Sequence, residues 1–170
     1  MLCKTLLLVA MCFGGVALGA EPARVDAAAA FARLKELAGE WQARSPQMGS
    51  VRLKYEVVSA GSAVLEQFGT DSGNDHSMVT VYHLDGDRLI LTHYCMAKNQ
   101  PRMEAKRFDP AGGNLEFEFV DATNLSSPTA GHMHTAAFRF VDADHFDSRW
   151  QFFEGGKAKF TEEARYSRVK

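Results

Sequence analysis

From residue 51 onward the chain is a succession of short segments in which every second residue is apolar. Residues 115–119 set Leu115, Phe117 and Phe119 against Glu116 and Glu118, and residues 51–59 set Val51, Leu53, Tyr55 and Val57 against Arg52, Lys54 and Glu56. In 134–141 and 146–152 the apolar rows are Ala136, Phe138, Phe140 and then Phe146, Trp150, Phe152. A period of two puts alternate side chains on opposite faces of a strand, so each segment has one face to bury. Turn clusters separate the segments: Ala60-Gly61, Asp109-Pro110-Ala111-Gly112-Gly113, Asp142-Ala143-Asp144 and Gly155-Gly156. Such connections join antiparallel neighbours. About ten one-sided strands in meander order need a shared interior, and an up-and-down barrel supplies it while removing exposed edges. The expected fold is all-β: a single antiparallel up-and-down barrel of about ten strands, with a short N-terminal helix packed at one end. A two-sheet sandwich is the alternative.

The strongest local signal lies in 77–103, SMVTVYHLDGDRLILTHYCMAKNQPRM, where two β-rich runs flank Asp85-Gly86. An Asp-Gly pair in this setting predicts a tight hairpin. With Asp85 and Gly86 as the loop, Tyr82 faces Leu89, Thr80 faces Leu91 and Met78 faces His93. One hairpin face then carries Met78, Thr80, Tyr82, Leu89, Leu91, His93 and Cys95. The other carries Val79, Val81, His83, Arg88, Ile90, Thr92, Tyr94 and Met96. Both are largely apolar, which predicts that both are covered; alternatively, the second is a homodimer surface.

Residues 1–20 form a separate unit, with Lys4, an apolar run over 6–16, and small residues at Ala17, Gly19 and Ala20. This pattern predicts a secretory signal peptide cleaved near 19–21, leaving 21–170 as the barrel domain in a periplasmic or secreted location with no stable membrane anchor. Removing Lys4 leaves eighteen basic and twenty-one acidic residues, a net charge of −3. That balance, with no basic stripe, predicts no nucleic-acid partner. Cys95 is then the one remaining cysteine, so no intramolecular disulfide is available, and its mid-strand position suits a buried thiol. Helical spacing of Phe31, Leu34 and Leu37 behind Asp26 predicts a capped helix within 24–38, stopped by Gly39.

At Leu37-Ala38-Gly39-Glu40-Trp41 the chain resembles the calycin barrels, namely lipocalins, fatty-acid-binding proteins and bacterial relatives. With HYCMAKNQPRM it is also similar to a group of small exported bacterial proteins of unassigned function. The resemblance implies that Trp41 plugs the barrel end and that a basic residue of the last strand, Arg165 or Arg168, packs on its ring. It further implies a small apolar or amphipathic ligand in the lumen. The fatty-acid-binding pattern has Arg-x-Tyr near the chain end, whereas this chain has Tyr166-Ser167-Arg168. Nitrobindin-like haem barrels follow their tryptophan with glycines and use a late histidine. Here Gln42-Ala43-Arg44 follows Trp41 and no histidine follows His145. No cofactor is therefore expected, with haem as the alternative.

The candidate ligand-binding residues are His93, Tyr82, Tyr55, His134, Asn99, Gln100, Arg102, Phe117, Phe138 and Trp150, with Trp41 and Arg168 closing the barrel. Phe119, Phe152 and Phe160 are further candidates for the lumen. Asn99, Gln100 and Arg102 sit just past the hairpin and suit a polar headgroup at the mouth. Arg107, Glu162 and Arg168 offer an inward ion pair or carboxylate clamp. His132 and His134 lie close together on one strand but lack a third ligand, so no metal is expected. No nucleophile elbow, phosphate loop or HExxH occurs, so no catalytic residue is assigned. The enzymatic alternative pairs His93 with Tyr82 or Glu162 as acid and base.

Overall fold

The computed structural model describes residues 25–46, 48–70 and 77–170. The proposed leader and its cleavage site lie outside the described residues. Ten antiparallel strands close into one barrel in the order β1-β10-β9-β8-β7-β6-β5-β4-β3-β2. They are β1 (Gly39–Ser45), β2 (Gly49–Val58), β3 (Ala63–Thr70), β4 (Met78–Asp85), β5 (Arg88–Tyr94), β6 (Gln100–Asp109), β7 (Asn114–Thr123), β8 (His132–Phe140), β9 (His145–Glu154) and β10 (Lys157–Arg168). Sequential neighbours pair throughout, so the sandwich is excluded. The seam between β1 and β10 is short, with Trp41 opposite Arg168 and Gln42 opposite Ser167.

Helix α1 (Ala27–Lys35) starts where the Asp26 carboxylate accepts a bond from the Ala29 amide at 2.9 Å, satisfying an otherwise orphaned donor. Its apolar side, Ala27, Ala30, Phe31 and Leu34, is buried at one end of the barrel. Trp41 sits beneath it, 1% exposed, and its indole N–H donates to the Leu37 carbonyl at 2.7 Å. The Arg168 guanidinium lies 4.1 Å from the Trp41 ring centre and donates to the carbonyls of Ala38, Glu36 and Ala143. One cation thus covers the indole and satisfies carbonyls just past the helix C-terminus. Arg165 instead faces outward and pairs with Asp147.

Gly39 makes this closure possible. Its φ is +128°, and a Cβ there would stand 2.8 Å from Arg168 Nη1. Gly39→Ala is expected to cost about 2 kcal/mol in a urea titration, from backbone strain and displacement of Arg168. A change below about 0.5 kcal/mol, the size of an ordinary surface substitution, would show that the guanidinium is not held there.

Two expectations for the central hairpin are corrected. Asp85 pairs with Arg88, Leu84 with Leu89, Tyr82 with Leu91 and Thr80 with His93. The loop is therefore Gly86-Asp87, one residue later than the Asp-Gly reading. Only Gly86 of the two has positive φ, +61°, as a type II′ turn requires of its first loop residue. The faces survive because the partner shifts by two residues, a whole strand period. The outward face is not covered by a second layer: Tyr94 and Met96 are exposed, Val79 and Val81 half-buried. Of that face, Ile90 alone is buried.

Candidate functional site

The barrel interior has two parts. From the helix to about the level of His93 it is filled with side chains. Trp41, Tyr55, Tyr82, Phe117 and Phe146 are each below 2% exposed, and Phe138 is the hub between them. Ring contacts run from Trp41 to Phe146 (4.8 Å), Phe138 (6.4 Å), Trp150 (6.1 Å) and His93 (5.1 Å). The expectation that Tyr55, Tyr82, Phe117 and Phe138 point inward is met. They pack against one another, however, and do not line an open lumen. Of the apolar residues in the alternating rows, Val57 is exposed on β2, and Phe160 is 41% exposed at the rim, where a register shift interrupts β10 and its ring lines the mouth.

Within the filled part, register builds a polar row. Tyr55, Glu66, Thr80 and His93 are direct cross-strand partners on β2, β3, β4 and β5. The Tyr55 and Tyr82 hydroxyls each donate to Glu66 Oε2 at 2.6 Å. Thr80 Oγ1 lies 3.3 Å from Glu66 Oε1 and 2.9 Å from His93 Nδ1. Burial raises the Glu66 carboxyl above its ordinary range, against the lowering effect of these donors. Burial also lowers His93 to about 4, so its ring is neutral at physiological pH. With Glu66 ionised, Thr80 donates to it and accepts from His93 Nδ1–H, leaving Nε2 a bare acceptor. With Glu66 protonated on Oε1, the Thr80 hydroxyl is free to donate to Nδ1, which moves the ring proton to Nε2. Nε2 has no protein partner in either case. The acid–base pairing of His93 with Tyr82 or Glu162 is corrected: His93 bonds Thr80 through Nδ1, and its Nε2 meets neither Tyr82 nor Glu162.

Above His93 and Trp150 the barrel opens into a cavity of about 290 Å³ at the end opposite the helix. Its walls are Met48, Met78, Cys95, Met96, Ala97, Met133, Phe152, Phe160 and Glu162. Met78 and Cys95 stand two residues mouthward of Thr80 and His93, so the polar row lies one layer below the cavity. Glu162 is 8% exposed, faces Trp150 across the β9–β10 pair, and accepts a bond from the Ser45 hydroxyl. Burial holds the Cys95 thiol up, so it remains a thiol at neutral pH.

The remaining candidates fall around this mouth or outside it. Asn99 is buried, and its Nδ2 donates to the Gly131 carbonyl at 2.7 Å. Because that carbonyl only accepts, Oδ1 must point the other way, where it has no partner. Gln100 accepts from Thr123 and Asn124. Arg102 is corrected from headgroup ligand to outer-wall residue, forked onto Asp121. Arg107 likewise faces out to Glu116, so of the proposed inward clamp only Glu162 points inward. His134 is stacked between Phe119 and Phe153, with its Nδ1 3.0 Å from His132 Nε2. His132 Nδ1 faces the Ala130 carbonyl at 2.7 Å and so carries a proton, and with both rings neutral His134 donates to its neighbour. Among the described residues no group of three His, Cys, Asp or Glu is placed to hold a metal.

Sequence reasoning missed Glu66, Met48 and Met133. Glu66 was detectable, because it takes the inward position between Val64 and Phe68 in an alternating strand. The two methionines carry no such signal. Met48 sits in a turn, and Met133 lies where β8 shifts register between Met133 and Thr135.

A larger recess of about 550 Å³ crosses the outer wall over β8, β9 and β10. Arg139 and Arg165 there pair with Asp147, and Arg149 pairs with Glu163.

Geometry thus defines a closed ten-stranded up-and-down barrel with a helix-sealed end and a small apolar mouth. No family model matches the chain, and no curated protein matches it. Among solved structures it is similar to Rv2717c from M. tuberculosis, at 17% identity and a TM-score of 0.54, over 83% of this chain and 98% of that one. It is also similar to a DUF3598 protein of unknown function from Nostoc punctiforme, at 13% identity and a TM-score of 0.50. That match covers 80% of this chain and 49% of the other. At these identities the likeness is one of fold.

Proposed function

We propose that this chain is an exported, calycin-like barrel that binds a small, largely apolar molecule in its mouth, without catalysing a reaction and without haem. The observation that carries this reading is the cavity itself. Eight of its nine wall residues are apolar or sulfur-bearing, and the ninth is a buried carboxylate. Natural ligand sites combine a mostly apolar wall with a few placed polar groups. Four of the wall residues are methionines, whose unbranched thioethers adapt to differently shaped occupants. Haem fits the donor set poorly. Its propionates would meet Glu162 in a cavity walled by no described cation, and His93 lies beneath the cavity without lining it. Export accounts for the apolar run over 6–16 and for a mature chain left with one thiol.

Native mass spectrometry of protein purified from its source, followed by solvent extraction, is expected to show a bound small molecule. Met78→Trp and Met133→Trp, which fill the cavity, should each abolish its retention with the fold intact by circular dichroism. Equal retention in both filled variants would overturn the assignment of the site.

A further inference from the structure

We propose that the mouth cavity selects a cationic amphiphile, an ammonium group on an apolar body, with the Glu162 carboxylate as its anchor. This rests on the cavity being a binding site and names the chemistry of its occupant. Glu162 accepts from the Ser45 hydroxyl through Oε1, and the described residues offer Oε2 no partner. No lysine, arginine or histidine is among the cavity walls, so the carboxylate has no counter-ion there. A buried carboxylate without a cation is costly, and a protonated amine supplies both the charge and the donors.

The layer beneath the cavity does not oppose such an occupant. His93 stays neutral at physiological pH and adds no positive charge beneath the cavity. The cavity walls therefore present one carboxylate and no described cation. A fatty acid would bring a second carboxylate to Glu162, whereas in the fatty-acid-binding pattern an arginine stands near the chain end. Here the corresponding arginine, Arg168, is at the opposite, sealed end, on Trp41.

Titration calorimetry with octylamine, octanol and octanoate, three probes with one tail, tests this. Octylamine, protonated near neutral pH, is expected to bind about tenfold or more tightly than octanol, and octanoate should not saturate over the same range. In Glu162→Gln the amine should lose that advantage while octanol binding is kept, which also shows that the variant is folded. Ser45→Ala frees the second carboxylate oxygen and should raise the amine-to-octanol ratio. Octanoate binding as tightly as octylamine, or an amine preference surviving Glu162→Gln, would overturn the inference. Octanol binding without amine preference would overturn it alone, and failure of all three probes to bind would overturn the binding site as well.

Discussion

Trp41→Ala is expected to lower stability by about 4 kcal/mol, the cost of deleting a large buried aromatic whose space cannot close up. For a barrel of this size that corresponds to a fall in Tm of roughly 10 °C. Three losses combine. The indole packs edge-on against Phe146 at 4.8 Å, its N–H bonds the Leu37 carbonyl, and its face holds Arg168. These contacts link β1 to β9, to the chain between helix and barrel, and to β10 at the short seam where the cylinder closes. Trp41→Phe keeps a ring beneath the guanidinium but loses the N–H bond, so it should cost clearly less. A Trp41→Ala protein within about 1 kcal/mol of wild type in urea would show that the sealed end does not depend on this plug.

The second large effect is the pH dependence of stability set by the buried polar row, where two residues act with opposite sign. His93 is lowered from 6.5 to about 4 in the folded barrel. Between those values the unfolded chain binds more protons, so its contribution is present above pH 6.5 and is lost as pH falls through about 4. The full loss amounts to roughly 3 kcal/mol. Glu66 is raised above 4.5, so its contribution is present below that value and is lost as pH rises through its folded pKa. The two slopes oppose each other in mildly acidic solution and partly cancel. His93→Phe should remove the first and leave stability falling as pH rises. Glu66→Gln, nearly isosteric and still able to accept from Tyr55 and Tyr82, should remove the second and steepen the loss on acidification. Urea titrations at several pH values between about 4 and 8 separate them, since a single group contributes at most about 1.4 kcal/mol per pH unit. A His93→Phe profile parallel to wild type would mean that His93 is not held neutral by burial.

These effects depend on positions that differ in how readable they were from the chain. Alternation in 51–59, 115–119, 134–141 and 146–152 was enough to assign inward faces, because a pleated strand leaves no other choice once one face must be buried. Gly39 and Trp41 marked the sealed end, and the inward set of the hairpin was right even though its loop was misplaced by one residue. The mouth was far less legible. Arg102 and Gln100 read as ligand-facing but are spent on Asp121, Thr123 and Asn124, because sequence cannot say which side of β6 meets the neighbouring strand's acids. Val57 followed the alternation on paper and still ended at the surface, near a strand end where the pleat no longer dictates burial.

By itself, then, the sequence determined the strand succession and the inward faces, since each follows from periodicity or turn chemistry within a few adjacent residues, while the plugged end was what the resemblance at Gly39 and Trp41 implied. Only the tertiary structure decided that the lumen is filled below and open above. It alone set Glu66, Thr80 and His93 side by side and gathered Met48, Met78, Met133 and Glu162 around one cavity. Those meetings arise from strand register and barrel closure, which bring together residues far apart along the chain. No local pattern encodes such distances.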